Sequence, residues 1–111
     1  MNNRVFTILL FMLALPAAVS AESSEQEGYQ AVEELGRLNG IALNCRYFDQ
    51  VKRIKQMLIA SLPKRRELGQ LFEDETDASF KSFIQSGAAC PSPVAFGEEV
   101  DKAGAALAKN F

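Results

Sequence analysis

The chain has no histidine, no tryptophan and two cysteines among its 111 residues. Without histidine it lacks the commonest general base, imidazole metal ligands and a switch titrating between about pH 5 and 8. Serine or cysteine nucleophiles paired with histidine are excluded on the same ground. Basic excess is missing too. The formal net charge is −2, so there is no general attraction to nucleic acid or to anionic membranes. The one long apolar run, Val5–Leu15, spans 11 residues, against the roughly 20 that a membrane helix needs.

That run belongs to an N-terminal pattern. Asn2, Asn3 and Arg4 form a short, weakly basic start, and Pro16 ends the apolar stretch. Ala17 to Ala21 then supplies small residues before a polar segment. Val19 and Ala21 stand three and one residues before Glu22, as signal peptidase requires. Residues 1–21 are therefore expected to be a cleaved signal peptide, and residues 22–111 a single domain in the periplasm or outside the cell, with no membrane span after cleavage. Losing Arg4 leaves 11 of the 12 basic side chains against all 14 acids, net −3.

A chain this short buries only about 60–65% of its unfolded surface, so a cross-link matters. An oxidising compartment favours one, and Cys45 with Cys90 is the single intramolecular pairing available; an intermolecular bond is the competing reading. With neither histidine nor a second nearby cysteine, no metal site or cofactor is expected.

Apolar residues recur at helical steps throughout. Tyr29, Val32, Leu35, Leu38, Ile41 and Ala42 form one stripe, with Ser24 and Glu27 at capping-box spacing before it. Gly36 and Gly40, one turn apart, suggest close approach of another helix; a hinge at Asn39-Gly40 is the other reading. A second stripe runs from Tyr47 to Leu62. Pro63 is expected in the first turn of a third helix, capped by Ser61 and carrying Leu68, Leu71, Phe72, Phe80, Phe83 and Ile84 to a stop at Gly87. Four polar residues at Glu73–Thr76 suggest a break in it. Ser92 before Pro93 starts a fourth, through Phe96, Val100, Ala103 and Leu107. No alternating strand pattern competes, so the fold expected is all-α: a compact four-helix, bundle-like domain stapled by Cys45–Cys90.

Few motifs suggest chemistry. Ser61-Leu62-Pro63-Lys64 has the S-x-x-K spacing of serine–lysine acyl enzymes, but the larger scaffold and further motifs are missing. Glu73-Asp74-Glu75-Thr76-Asp77 lacks the glycine turn and distal glutamate of a calcium loop. The phenylalanines at 72, 80, 83 and 96 have core spacing, and a groove for an apolar ligand would use the same residues. The remaining asymmetry is charge. Lys52, Arg53, Lys55, Lys64, Arg65 and Arg66 crowd around Pro63 with no acid among them, while acids gather at 73–77 and 98–101. This basic turn is the candidate partner-binding surface, for an acidic protein partner; its bland counterpart is a solvated face paired with Glu67, Glu73 or Asp77. Nucleic acid is not expected, since no aromatics are interleaved with the cations.

In arrangement, the chain resembles the periplasmic acid-stress chaperones of the HdeA type. An aromatic-containing helix follows the first cysteine, here Cys45-Arg46-Tyr47-Phe48-Asp49, and a short charged amphipathic helix follows the second, Cys90 through Phe111. More broadly it is similar to small secreted all-helical proteins of proteobacteria. The resemblance implies a chaperone that loosens when its 14 carboxylates neutralise below about pH 4. The chain departs from that family in lacking tryptophan and a lysine-rich C-terminus, and no functional residue carries over. The function expected is a non-enzymatic interaction protein, with an acid-activated chaperone or a binder of small apolar ligands as the alternatives.

Overall fold

The computed structural model describes residues 21–111, with side chains from Ser24 onward, so the leader assigned to Met1–Ala21 lies outside the described residues except for its last position. Four helices follow: α1 (Ala21–Cys45), α2 (Phe48–Ser61), α3 (Arg66–Ser86) and α4 (Pro93–Asn110). Among the described residues there is no strand, and no helix is long and apolar enough to cross a membrane. The all-helical, stapled architecture is the one the periodicity predicts. Cys45 and Cys90 are joined, with their Cα atoms 5.7 Å apart.

Three helices make the main buried cluster, and α3 adds the fully buried Leu68. On α1, Val32, Leu35, Leu38 and Ala42 are fully buried at three- and four-residue steps; α2 contributes Val51, Ile54 and Leu58, and α4 contributes Phe96, Val100, Ala103 and Leu107. Burying each of the larger side chains stabilises the fold by roughly 1.5–3 kcal/mol. α4 runs antiparallel to α1: Ser24 donates to Asn110 at 3.3 Å at one end, and the Tyr47 and Phe96 rings meet at 5.5 Å near the other. α2 runs alongside α4 in the same direction, with Gln50 next to Gly97, Met57 next to Gly104 and Arg53 paired with Asp101.

The fourth helix does not take the fourth corner of a bundle. α3 lies parallel to α1 and packs on α1 alone; no Cα of α3 comes within 8 Å of one in α2 or α4. Gly36 and Gly40 permit that contact. A Cβ on Gly36 would meet the Phe72 carbonyl oxygen at 2.9 Å, and one on Gly40 would meet the Thr76 carbonyl oxygen at 2.7 Å. Three polar links fasten the pair. Asn39 Nδ2 donates to Thr76 Oγ1 at 3.3 Å, Ser79 Oγ to the Arg37 carbonyl at 2.6 Å, and Asn44 Nδ2 to the Phe80 carbonyl at 3.1 Å. Close approach, not a hinge, is therefore the use of the two glycines, and α1 continues unbroken through Asn39-Gly40.

Local starts and stops differ from expectation in three places. Pro63 sits in the connection between α2 and α3 and not in a first turn. Leu62, placed before it, is extended (φ −78°, ψ 127°), because a residue preceding proline is crowded out of the helical region. Ser61 is consequently the last residue of α2 and caps nothing, and α3 begins at Arg66 after an extended Arg65. The break proposed at Glu73–Thr76 is absent. Thr76 faces α1 and donates back to the Phe72 carbonyl at 2.8 Å, and Gln70 bonds Asp74 one turn on at 2.8 Å. Ser24 lies inside α1 and not at its cap. Elsewhere the signals hold: Gly87 closes α3 in the left-handed conformation at φ 63°, and Ser92 Oγ accepts from Ala95 N–H at 3.2 Å.

Candidate functional site

Because α3 touches only α1, the space between α2 and α3 stays open above α1. The result is a groove of about 790 Å³, within the range of about 300–1,000 Å³ typical of binding sites. Its α2 wall carries Lys55, Leu58 and Ile59, continued by Leu62 just past the helix end, and its α3 wall Gly69, Phe72, Glu73, Thr76 and Asp77. Both sets fall at three- and four-residue steps, so each helix turns one continuous face to the groove. Residues Pro63, Lys64 and Arg65 of the connection line it as well. Between the charged residues the lining is apolar, through Leu58, Ile59, Leu62, Pro63 and Phe72, and Asn39 of α1 and Thr76 are its uncharged polar members.

Asn39 is the unusual residue. It is only 4% exposed. Its Nδ2 is used by Thr76 Oγ1, whose own proton goes to the Phe72 carbonyl. Asn39 Oδ1 is buried with no hydrogen-bond partner. Buried acceptors are nearly always satisfied, and one left open costs about 1–3 kcal/mol. Asn39 lines the groove, and its buried Oδ1 has no donor.

The basic residues singled out by their crowding lie in three different surroundings. Lys55, Lys64 and Arg65 line the groove. Arg53 pairs with Asp101 on α4. Lys52 and Arg66 are exposed and lie outside the groove lining. Of the cations in the groove, Arg65 stands 3.6 Å from Glu25 and 3.8 Å from Glu67, both long and solvent-exposed contacts. Lys55 and Lys64 are in none of the ion pairs among the described residues. Glu73 and Asp77 face the same space from α3, so the groove is basic along α2 and its connection and acidic along α3. Elsewhere, Glu34 holds Arg37 above its ordinary pKa, first through a hydrogen bond. That pair is not part of the groove.

The phenylalanines divide. Phe96 is fully buried, whereas Phe80 is 37% exposed and Ile84 59%, because a helix packed on a single neighbour cannot cover its whole apolar stripe. Phe72 lies partly buried against the core and forms part of the groove wall. Sequence periodicity gives Phe72, Phe80, Phe83 and Phe96 the same core spacing and leaves an apolar groove as the other use of those residues. It missed Asn39, which reads as a polar interruption in an apolar stripe and whose open carbonyl only the packing reveals.

The described residues define a disulfide-stapled, all-helical protein with an open cleft between α2 and α3. Comparison with protein-family models, curated proteins and solved structures returns no match for this chain.

Proposed function

We propose that this is an exported, non-enzymatic interaction protein that takes hold of its partner in the α2–α3 groove. The observation that carries the reading is the groove itself, with an apolar floor, charged walls and a buried, unpartnered carboxamide oxygen in Asn39. The leader pattern and the Cys45–Cys90 bond support export to an oxidising compartment, periplasmic or extracellular. The absence of histidine supports a binding role over a hydrolytic one. The acidic partner first expected for the whole basic cluster is narrowed to a partner that meets Lys55, Lys64 and Arg65 on one side and Glu73 and Asp77 on the other.

The test is site-specific photo-cross-linking in intact cells. A photoreactive residue replaces Ile59, which is 84% exposed on the rim of the groove, or Val94, which is 75% exposed away from it. A partner captured from position 59 and not from position 94 is the expected result. Equal capture at both, or none at either, would remove the groove from consideration.

A further inference from the structure

We infer that the groove receives the free C-terminal end of a partner polypeptide, bound in extended form with its carboxylate against Lys64 and Arg65; this inference rests on the groove reading above. Four observations lead to it. First, length. From Lys55 to Leu62 the α2 wall is about 10 Å long at 1.5 Å per residue, which matches about three extended residues at 3.3–3.6 Å each. Second, closure. The connection between α2 and α3 walls off one end of the groove, so a chain entering from the open end must stop there. Third, charge at the stop. The closed end carries Lys64, which is in no ion pair among the described residues, and Arg65, held only by long, exposed contacts to Glu25 and Glu67. A terminal carboxylate is the anion that a chain end brings, and charge-assisted bonds to it are stronger than neutral ones. Fourth, the floor. Asn39 Oδ1 needs a donor, and every non-proline residue of an extended chain offers a backbone N–H.

Two other occupants fit less of this. A lipid with an anionic head and a plain apolar tail would satisfy the cations and the apolar floor. It would leave Asn39 Oδ1 unmet and give Glu73 and Asp77 nothing to bind. An amphipathic helix consumes its own N–H groups internally and presents no chain end to Lys64 and Arg65. An extended chain end meets all four features, with small or apolar side chains on Leu58 and Phe72 and a basic residue upstream opposite Glu73 and Asp77.

The experiment uses the disulfide-bonded protein on two matched pentapeptide arrays that vary every position. One presents free C-terminal carboxylates and the other the same sequences as amides; hits are then measured in solution by fluorescence anisotropy. The expected result is a set of apolar-ending peptides bound at least about tenfold more tightly as carboxylates than as amides. Lys64→Glu with Arg65→Glu, both at exposed positions, should abolish that preference. Asn39→Leu should weaken carboxylate and amide forms alike, by roughly five- to tenfold. Far-ultraviolet circular dichroism confirms that each variant is folded. Equal binding of the two arrays, binding to neither, or a carboxylate preference that survives the double charge reversal would each overturn the inference. If position 59 still cross-links a single partner while no carboxylate peptide competes with it, the groove reading stands and the chain-end inference alone falls.

Discussion

Gly40 of α1 and Phe80 of α3 are so close that a methyl group on Gly40 would lie 2.7 Å from the Phe80 backbone nitrogen. Backbone cannot step aside as a flexible side chain can. Gly40→Ala should therefore push α3 away from α1 and cost about 1–3 kcal/mol, and Gly36→Ala should act in the same direction. The damage should be local, because the core helices α1, α2 and α4 are packed without α3. Denaturant unfolding gives the magnitude. Hydrogen exchange gives the location: amides of α3 should lose protection while those of α4 keep it, and uniform loss across all four helices would contradict this picture of α3 as an outlying element.

Gly69 provides the contrast. A Cβ added there has nothing within 4 Å, so Gly69→Ala removes chain flexibility from the unfolded state without a clash in the folded one. We expect a gain of about 0.4–1 kcal/mol, read as a rise in the denaturation midpoint. A loss would mean that the α3 wall sits closer to α2 in solution than the open groove implies.

Tyr47 hangs between two roles. Its ring packs against Phe96, and its hydroxyl donates to the Pro91 carbonyl at 2.5 Å, tying the start of α2 to the segment entering α4. Tyr47→Phe keeps the first role and removes the second, so a cost of about 1 kcal/mol is expected, with no change in the peptide-binding experiments. A cost below a few tenths would show that water replaces the hydroxyl.

Cys45 and Cys90, 45 positions apart in sequence, close a loop that contains all of α2 and α3. Replacing both cysteines with serine should lower stability by about 2–4 kcal/mol, through the freedom restored to the unfolded chain. Because α3 has a single packing partner, its amides should be the first to exchange in the reduced protein. An unchanged unfolding midpoint under reducing conditions would contradict the stabilising role.

Much of this was legible in the chain, and what was not has a physical reason. Stripes such as Val32–Leu35–Leu38 and Phe96–Val100–Leu107 announce helices and their buried faces because periodicity follows directly from 3.6 residues per turn. Gly36 and Gly40 even indicated a close helix neighbour. Which helix that was, and that it would touch nothing else, depends on packing choices that no local pattern encodes. That one choice decides the site. It leaves Phe80 and Ile84 on the surface, opens the groove beside α2, and divides a basic cluster that looked like one pole into Arg53 facing Asp101 and Lys55, Lys64 and Arg65 facing the groove. Pro63 misled for a smaller reason: proline fits a first helical turn, but its effect on Leu62 ended α2 and delayed the next helix to Arg66.

Asn39 links stability to function in a way that a single substitution can expose. Its Oδ1 is unpaired, and its Nδ2 bonds an oxygen, Thr76 Oγ1, whose own proton is already committed to the Phe72 carbonyl. Asn39→Leu removes the open acceptor while Thr76 keeps its bond, and leucine is close to asparagine in shape. The unliganded protein should then be as stable as the parent or more so, by as much as about 1–3 kcal/mol, while binding in the groove weakens. Residues kept for binding at the expense of stability behave in this way. Thermal unfolding with and without a bound pentapeptide measures both effects in one series. If Asn39→Leu instead destabilises the free protein by more than about 1 kcal/mol, an ordered water already satisfies Oδ1, and Asn39 serves the fold and not the ligand.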